Sequence, residues 1–221
     1  MLAGERLTAD PSGALLWPAG ETLAVADLHL EKGSHFARHG RLLPPYDTRA
    51  TLERLQAVIE RLRPRRVLCL GDSFHDADAA ARLDGADRAR LAHLTALTEW
   101  VWITGNHDPR PPAGLGGTAA AEVRAGPLIF RHRAETGAVG EVSGHFHPVA
   151  AIRVSGRRVR DRCFAGDGRR LILPAFGAYA GGLNVLDPAL DGVLARPFEV
   201  HLLARGRVHR FPAARLAPDG G

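Results

Sequence analysis

The chain has 221 residues, 45% of them hydrophobic, and carries no Pro/Gly/Ser-rich linker long enough to separate two cores, so residues 1–221 are expected to form one domain. No run of about 18 apolar residues offers a membrane span, and the N-terminus lacks the basic start and apolar stretch of a signal peptide; the expectation is a soluble cytoplasmic protein with no membrane partner. A formal charge of +5 and a pI of about 10.1 favour an anionic partner such as nucleic acid. Lys32 is the only lysine, and the arginines are scattered rather than blocked. Cys69 lies in an apolar run and Cys163 in a charged stretch, a pattern that argues for free thiols and against a disulfide framework or a zinc-thiolate site.

In chain order, Ala14–Trp17 is a candidate strand between turn residues, and Leu23–Ala26 is a firm one that ends at Asp27. Lys32–Gly40 reads as a loop or short helix. Asp47–Leu62 has apolar residues at Leu52, Leu55, Val58, Ile59 and Leu62, a helical spacing, with Asp47 as a candidate cap and Pro64 as the stop. A strand Val67–Leu70, a helix from about Asp87 to Thr98 and a strand Trp100–Thr104 continue a strand and helix alternation. Beyond Pro109 short strand-like runs follow closely: Ala121–Val123, Leu128–Arg131, Glu141–Ser143, Ala150–Val154, Arg157–Cys163, Leu171–Leu173, Leu183–Leu186 and Glu199–Leu203. The second half should be mostly antiparallel, and two sheets packed face to face with helices outside accommodate both halves. The tail, residues 211–221, is rich in Ala, Pro and Gly and is expected to fray.

Chemistry-bearing residues gather where apolar runs end: Asp27 and His29; Gly71-Asp72; Asn106 and His107; His132; and His145 with His147. Strand alternation would turn Asp27 and His29 the same way, with Leu28 inward, and would align His145 with His147. A single Asp-x-His would read as a cap beside a core histidine. Four ordered segments, each at a strand end, read instead as a catalytic metal inventory, whose oxygen and imidazole donors suit Mn²⁺, Fe or Zn²⁺ rather than Ca²⁺.

These residues resemble the calcineurin-like binuclear metallophosphoesterases. The signature of that family runs Asp-x-His, Gly-Asp, Gly-Asn-His-Asp or Glu, an isolated His, then Gly-His-x-His. The chain carries Asp27-Leu28-His29, Gly71-Asp72, Gly105-Asn106-His107-Asp108, His132 and Gly144-His145-Phe146-His147. The resemblance implies an α/β, four-layer αββα fold, two mixed β-sheets in a sandwich flanked by helices. It implies two divalent ions, Mn²⁺ foremost, with Asp27, His29, Asp72 and His147 around one and Asp72, Asn106, His132 and His145 around the other. Asp72 would bridge. Such a pair, about 3.5–4 Å apart, activates a shared hydroxide for in-line attack on a phosphodiester. His107 would protonate the leaving oxygen with Asp108 orienting its ring, and His75 would support the site or touch substrate.

A finer resemblance, carried by Leu70-Gly71-Asp72-Ser73-Phe74-His75-Asp76 and by Leu173 to Leu183, is to the bacterial DNA-damage-response endonucleases associated with a DNA ligase and an Lhr-type helicase. It implies a DNA endonuclease acting on single-stranded or flexible DNA in repair. Family phosphatases often read Gly-Asp-x-Val-Asp-Arg-Gly after the second strand; here His75 replaces the second Asp and Asp76 stands at the Arg position, which argues against phosphomonoesters. A small nucleotide or lipid-linked diester is the enzyme alternative, marked by a closed apolar pocket instead of an open basic groove. A protein-binding scaffold on the same fold is the non-enzyme alternative, opposed by the intact donor set. His35, His39 and Tyr179 are open as substrate contacts: the first two share a helical spacing, and Tyr179 either stacks a base or fills the core. Arg131 and Arg133 flank His132 as structural or surface residues.

Overall fold

The computed structural model describes residues 1–41, 43–110 and 114–219. Two mixed β-sheets pack face to face. The first contains β1 (Thr8–Ala9), β2 (Leu15–Trp17), β3 (Thr22–Val25), β4 (Arg66–Leu70), β5 (Glu99–Ile103) and β6 (Thr118–Ala120), in that order, with β3 to β6 parallel. The second contains β7 (Glu122–Ala125), β8 (Leu128–Arg131), β9 (Glu141–Ser143), β10 (Pro148–Val154), β11 (Arg157–Gly166), β12 (Arg170–Ile172), β13 (Leu183–Asn184), β14 (Glu199–Ala204), β15 (Arg207–Pro212) and β16 (Leu216–Ala217).

The continuous apolar character of β3, β4 and β5 follows from burial on both faces. Leu23, Val25, Val67, Cys69, Trp100 and Trp102 point outward onto helices α2 (Asp47–Leu62) and α3 (Gly85–Leu97). The intervening Ala24, Leu68, Leu70, Val101 and Ile103 meet Phe130, Val142 and Phe164 between the sheets. A third cluster covers the outer face of the second sheet, where Cys163, Ala165 and Val200 pack beneath Val185, Leu190 and Leu194. The helical turn in that covering segment is the 3₁₀ turn Pro188–Leu190. Both cysteines are buried free thiols. No helix among the described residues is long and apolar enough to cross a membrane.

Several local expectations change. Asp47 does not cap α2: it is the first helical residue, and its carboxylate accepts the Gly33 N–H at 3.0 Å, tying α2 to the short helix α1 (Lys32–Arg38). The single strand expected at Ala121–Val123 is two strands, β6 and β7, in different sheets, with Ala121 alone between them. The second half is mostly antiparallel, as expected, but β9 pairs parallel with both β8 and β12, and β13 with β10. The tail does not fray at Pro212. β15 pairs with β14, β16 pairs with β10, and Asp219 accepts from Arg158 at 2.6 Å, while residues 220–221 of that expectation lie outside the described residues. Hairpin β14–β15 was hard to read because β15 is an exposed, arginine-rich edge with little apolar signal. Its two-residue turn, Arg205-Gly206, has positive φ at both positions, as does Ser155-Gly156 between β10 and β11, the geometry that matches strand twist in tight hairpins.

A candidate binuclear metal centre

The first sheet delivers its functional side chains just beyond the carboxyl ends of β3, β4 and β5, the usual place for chemistry in an α/β sheet. Strand pleating does not align them. Asp27, His29, Asp72, His145 and His147 all lie outside the strands and adopt left-handed backbone, with φ of 53°, 45°, 47°, 70° and 46°. Such conformations cost about 1–3 kcal/mol each and persist where the surroundings over-determine them. Here the loops are latched together: Asp27 N–H donates to Gly71 O at 3.2 Å, His29 N–H to Asp72 O at 2.9 Å, and Leu30 N–H to Ser73 O at 2.9 Å. Leu28 between them turns into the core, 1% exposed.

Two motif glycines are required by close approach. A Cβ at Gly71 would lie 2.4 Å from His132 Nδ1, and one at Gly144 would lie 2.6 Å from Asp27 Oδ2. Gly144 thereby lets the His145 N–H reach that same oxygen at 2.9 Å.

The side chains fall into overlapping donor groups. One ligand atom each from Asp27, His29 and His147 lie within 4.8 Å of one another, as do atoms of Asp72, His132 and His145, and of His29, Asp72 and His107. His29 Nε2 and His147 Nε2 are 3.2 Å apart, and His145 Nδ1 and His132 Nε2 are 3.1 Å apart. Two nitrogens each about 2.0–2.1 Å from a common ion are roughly 3.0–3.4 Å apart, so both pairs fit shared coordination. Among the described residues Asp27 Oδ1, which is buried, has no hydrogen-bond partner and lies 3.5 Å from His147 Nε2. An orphaned carboxylate oxygen is costly unless a cation meets it. The donor set therefore fits a pair of divalent ions. Asn106 is exposed in the loop after β5, next to His107, whose N–H donates to Asp72 Oδ1 at 2.9 Å.

Neighbours set the rings' protonation. His132 Nδ1–H donates to Leu70 O at 2.9 Å, leaving Nε2 to face Asp72 Oδ2 at 3.5 Å; a fixed tautomer of this kind is a common support for a ligand histidine. Burial, followed by His147, Lys32, His107 and His75, drives His29 down to about 2, so its ring is neutral. At His147 burial is outweighed by Asp27, and the pKa is raised. Burial and His132 lower His145.

His107 is exposed, and its Nδ1–H donates to His75 O at 2.8 Å, which leaves Nε2 available. The His75 ring stacks on it, centroids 5.1 Å apart and planes 19° apart, and burial with His107, His35 and Lys32 nearby lowers His75 to about 4. The expectation that Asp108 orients the His107 ring is corrected. Asp108 is buried and spends both oxygens on backbone N–H groups: Oδ1 accepts from Asp72 at 2.9 Å and Gly105 at 3.1 Å, Oδ2 from Ser73 at 2.7 Å and Phe74 at 3.2 Å. It clamps the loop that carries Asp72. Burial raises its carboxyl to about 6 against those amides.

Sequence reasoning passed over two arginines behind the centre. Arg162 donates to Ala175 O at 2.9 Å and Arg54 to Phe176 O, while Phe176 N–H donates to Ala26 O at 2.8 Å and Gly177 N–H to Asp27 O at 3.1 Å. The Phe176 segment is thus a brace for Asp27, and scattered arginines carried no signal of it. Within the segment Tyr179 is neither core nor free, since its hydroxyl donates to Pro44 O at 2.8 Å. His35 is half-buried against Asp76 at 2.8 Å, and Asp76, gripped by Arg82 at 2.6 and 2.8 Å, is held well below the usual carboxylate range; His39 is exposed. Arg131 is buried among Glu122, Glu135 and Glu141, and Arg133 is exposed.

Because Asn can offer only one acceptor oxygen, Asp108→Asn should leave buried N–H groups unpaired, at about 1–3 kcal/mol for each group left unsatisfied. Urea unfolding should show a loss of about 2 kcal/mol or more, with less metal retained after gel filtration. A variant of wild-type stability and full metal content that has lost turnover would instead return Asp108 to a direct part in catalysis.

Residues 21–167 match the calcineurin-like phosphoesterase family, a span that takes in all seven expected ligand positions. The crystal structure of Pseudomonas putida nuclease MPE is similar, with a TM-score of 0.73 and 29% identity over 94% of this chain and 96% of that one. Yfce, a phosphoesterase from E. coli, aligns at a TM-score of 0.41 and 13% identity over 86% of this chain and 97% of its own. No curated protein matches the sequence. With the family match covering more than half of the chain, and the donor groups set where its loops leave the strands, the chain belongs to the calcineurin-like phosphoesterases and is a metal-dependent hydrolase of that type.

Proposed function

We propose that this hydrolase is a DNA endonuclease that cuts single-stranded or flexible DNA, and that it works as one domain with two Mn²⁺ ions. The observation that carries the reading is the cavity beside the donors, about 500 Å³ and open to solvent, with Lys32, His145 and His147 on its walls. A lipid-linked or small nucleotide diester calls for an enclosed apolar pocket, and this cavity is not one. The larger cavity, about 590 Å³, lies away from the donors, between residues 1–9 and β14–β15. Likeness to the P. putida nuclease over 94% of the chain supports nucleic acid as substrate. The repair setting and the link to a DNA ligase and Lhr-type helicase rest on the resemblance of Leu70–Asp76 and Leu173–Leu183 alone, and the cytoplasmic location on the sequence pattern of the N-terminus and the apolar runs.

In this reading Asp27, His29, Asp72 and His147 hold one ion and Asp72, Asn106, His132 and His145 the other. When bound, the ions supply an activated water and neutralise charge on the phosphate. Mn²⁺ suits a set that mixes imidazole with carboxylate and amide oxygen. His107 stands beside both groups without being needed by either. Its Nδ1–H is held by His75 O, so Nε2 is free to carry a proton to the leaving oxygen, and the stacked His75 ring fixes the imidazole plane. A general acid in this position contributes about 10² to 10⁴ in rate.

His107→Ala should therefore keep its metal by elemental analysis while kcat on DNA falls about 10²- to 10⁴-fold. The loss should shrink on bis-p-nitrophenyl phosphate, whose leaving group needs little protonation. Loss of one equivalent of metal would make His107 a ligand, the role its grouping with His29 and Asp72 would also permit.

The endonuclease reading is tested on circular single-stranded DNA, which has no ends. Mn²⁺-loaded protein should linearise and fragment it. An intact circle beside ready hydrolysis of mononucleotides or a lipid diester would replace this reading with the small-diester one.

A further inference from the structure

Lys32 is the one lysine in a chain whose Lys and Arg residues number 29. It opens α1, three residues after His29, and its half-buried side chain lines the open cavity together with His145, Phe146, His147 and Gly182. Among the described residues no carboxylate lies within ion-pair distance of its ammonium group. The acids around it are engaged elsewhere: Asp47 accepts the Gly33 N–H, and the two Glu31 oxygens accept from Thr48 at 2.9 Å and Ser34 at 2.6 Å. Asp47 acts on it without a direct ion pair, and a partly desolvated cation with no contacting carboxylate is a place prepared for an anion.

The rest of the cavity fits an anion carried on a chain. Its far wall is backbone. A Cβ at Gly182 would lie 2.1 Å from Val149 Cγ1 and 2.9 Å from His147 O, so glycine is required there, whereas Gly181 faces open space. Phe146 offers a half-buried ring, 5.0 Å from that of His145, against which a sugar or base can rest. Asp72, Asn106 and His107 do not line this cavity. It therefore lies on the His145 and His147 side of the donors. A cation here meets the strand beyond the phosphate that the donor groups address.

We infer that Lys32 binds the phosphate adjacent to the scissile one on a nucleic-acid strand, which makes the length and charge of the strand part of substrate selection. This rests on the nuclease reading and deepens it. A mononucleotide or a single diester has no neighbouring phosphate to offer, so the contact also gives a reason for the enzyme to prefer a polymer.

The test uses Mn²⁺-loaded full-length protein and thymidine trimers. One trimer has two phosphodiesters; in two others the linkage on the 5′ or the 3′ side is replaced by neutral, uncleavable methylphosphonate. For the wild type, kcat/KM should fall about tenfold or more with one of the two replacements, chiefly through KM. Lys32→Met should lose a similar factor on the all-phosphate trimer and little more on that same replaced trimer, the non-additivity expected of two partners in one contact. Lys32→Arg should recover part of the loss. On longer strands Lys32→Met should lower the salt slope of binding by about 0.7, one phosphate contact. Metal content and thermal midpoint measured on the same preparation separate this result from misfolding. Equal loss by Lys32→Met on every trimer, or a wild type indifferent to both replacements, overturns the assignment while leaving nuclease activity standing. A wild type that cuts no trimer and no longer strand removes the DNA reading and this contact with it.

Discussion

The structure is organised around the burial of two carboxylates, Asp27 and Asp72, in the gap where the strands of the first sheet stop. Both are almost fully enclosed, and they face His29, His132, His145 and His147 rather than arginine or lysine. No Arg or Lys pairs with them, and among the described residues Asp27 Oδ1 has no hydrogen-bond donor. The arrangement fits a pair of divalent ions. Ions bound there would relieve the cost of burying both carboxylates, and in the proposed reading that couples metal binding to folding.

The backbone bears the other cost. Five of the expected ligand residues sit in left-handed conformation, and each is held by neighbours that leave it little choice. Asp108 gathers four N–H groups around the Asp72 loop, and Arg54 and Arg162 press the Phe176 segment beneath Asp27 through its carbonyls. Glycine at 71 and 144 lets donor loops from different sheets come into contact. The polar support behind the ligands is as extensive as the ligand set itself, in keeping with sites whose first coordination layer must be rigid.

The strands β3, β4 and β5 were legible because burial on both faces makes an uninterrupted apolar run, and α2 because its apolar stripe keeps helical spacing. The residues expected to carry chemistry were legible as a motif, since each follows such a run. Their conformation was not. Alternation along a strand predicts the facing of His145 and His147 only if the strand continues, whereas β9 ends at Ser143 and β10 begins at Pro148. The role of Asp108 was misread for a similar reason: adjacency to His107 says nothing of the three amides that the fold brings to it from the Asp72 loop. Hairpin β14–β15 and the pairing of β16 were hidden because exposed edge strands carry no apolar period, and Ala121 gave no pause to mark the passage from one sheet to the other.

The central claim is that Asp72 is shared by two ions. It is tested most directly by a crystal structure of the Mn²⁺-loaded protein with anomalous diffraction at the manganese edge. The account predicts two peaks, both within bonding distance of the Asp72 carboxylate, one enclosed by Asp27, His29 and His147 and the other by Asn106, His132 and His145. A single peak in saturating Mn²⁺, or two peaks of which only one touches Asp72, would contradict it.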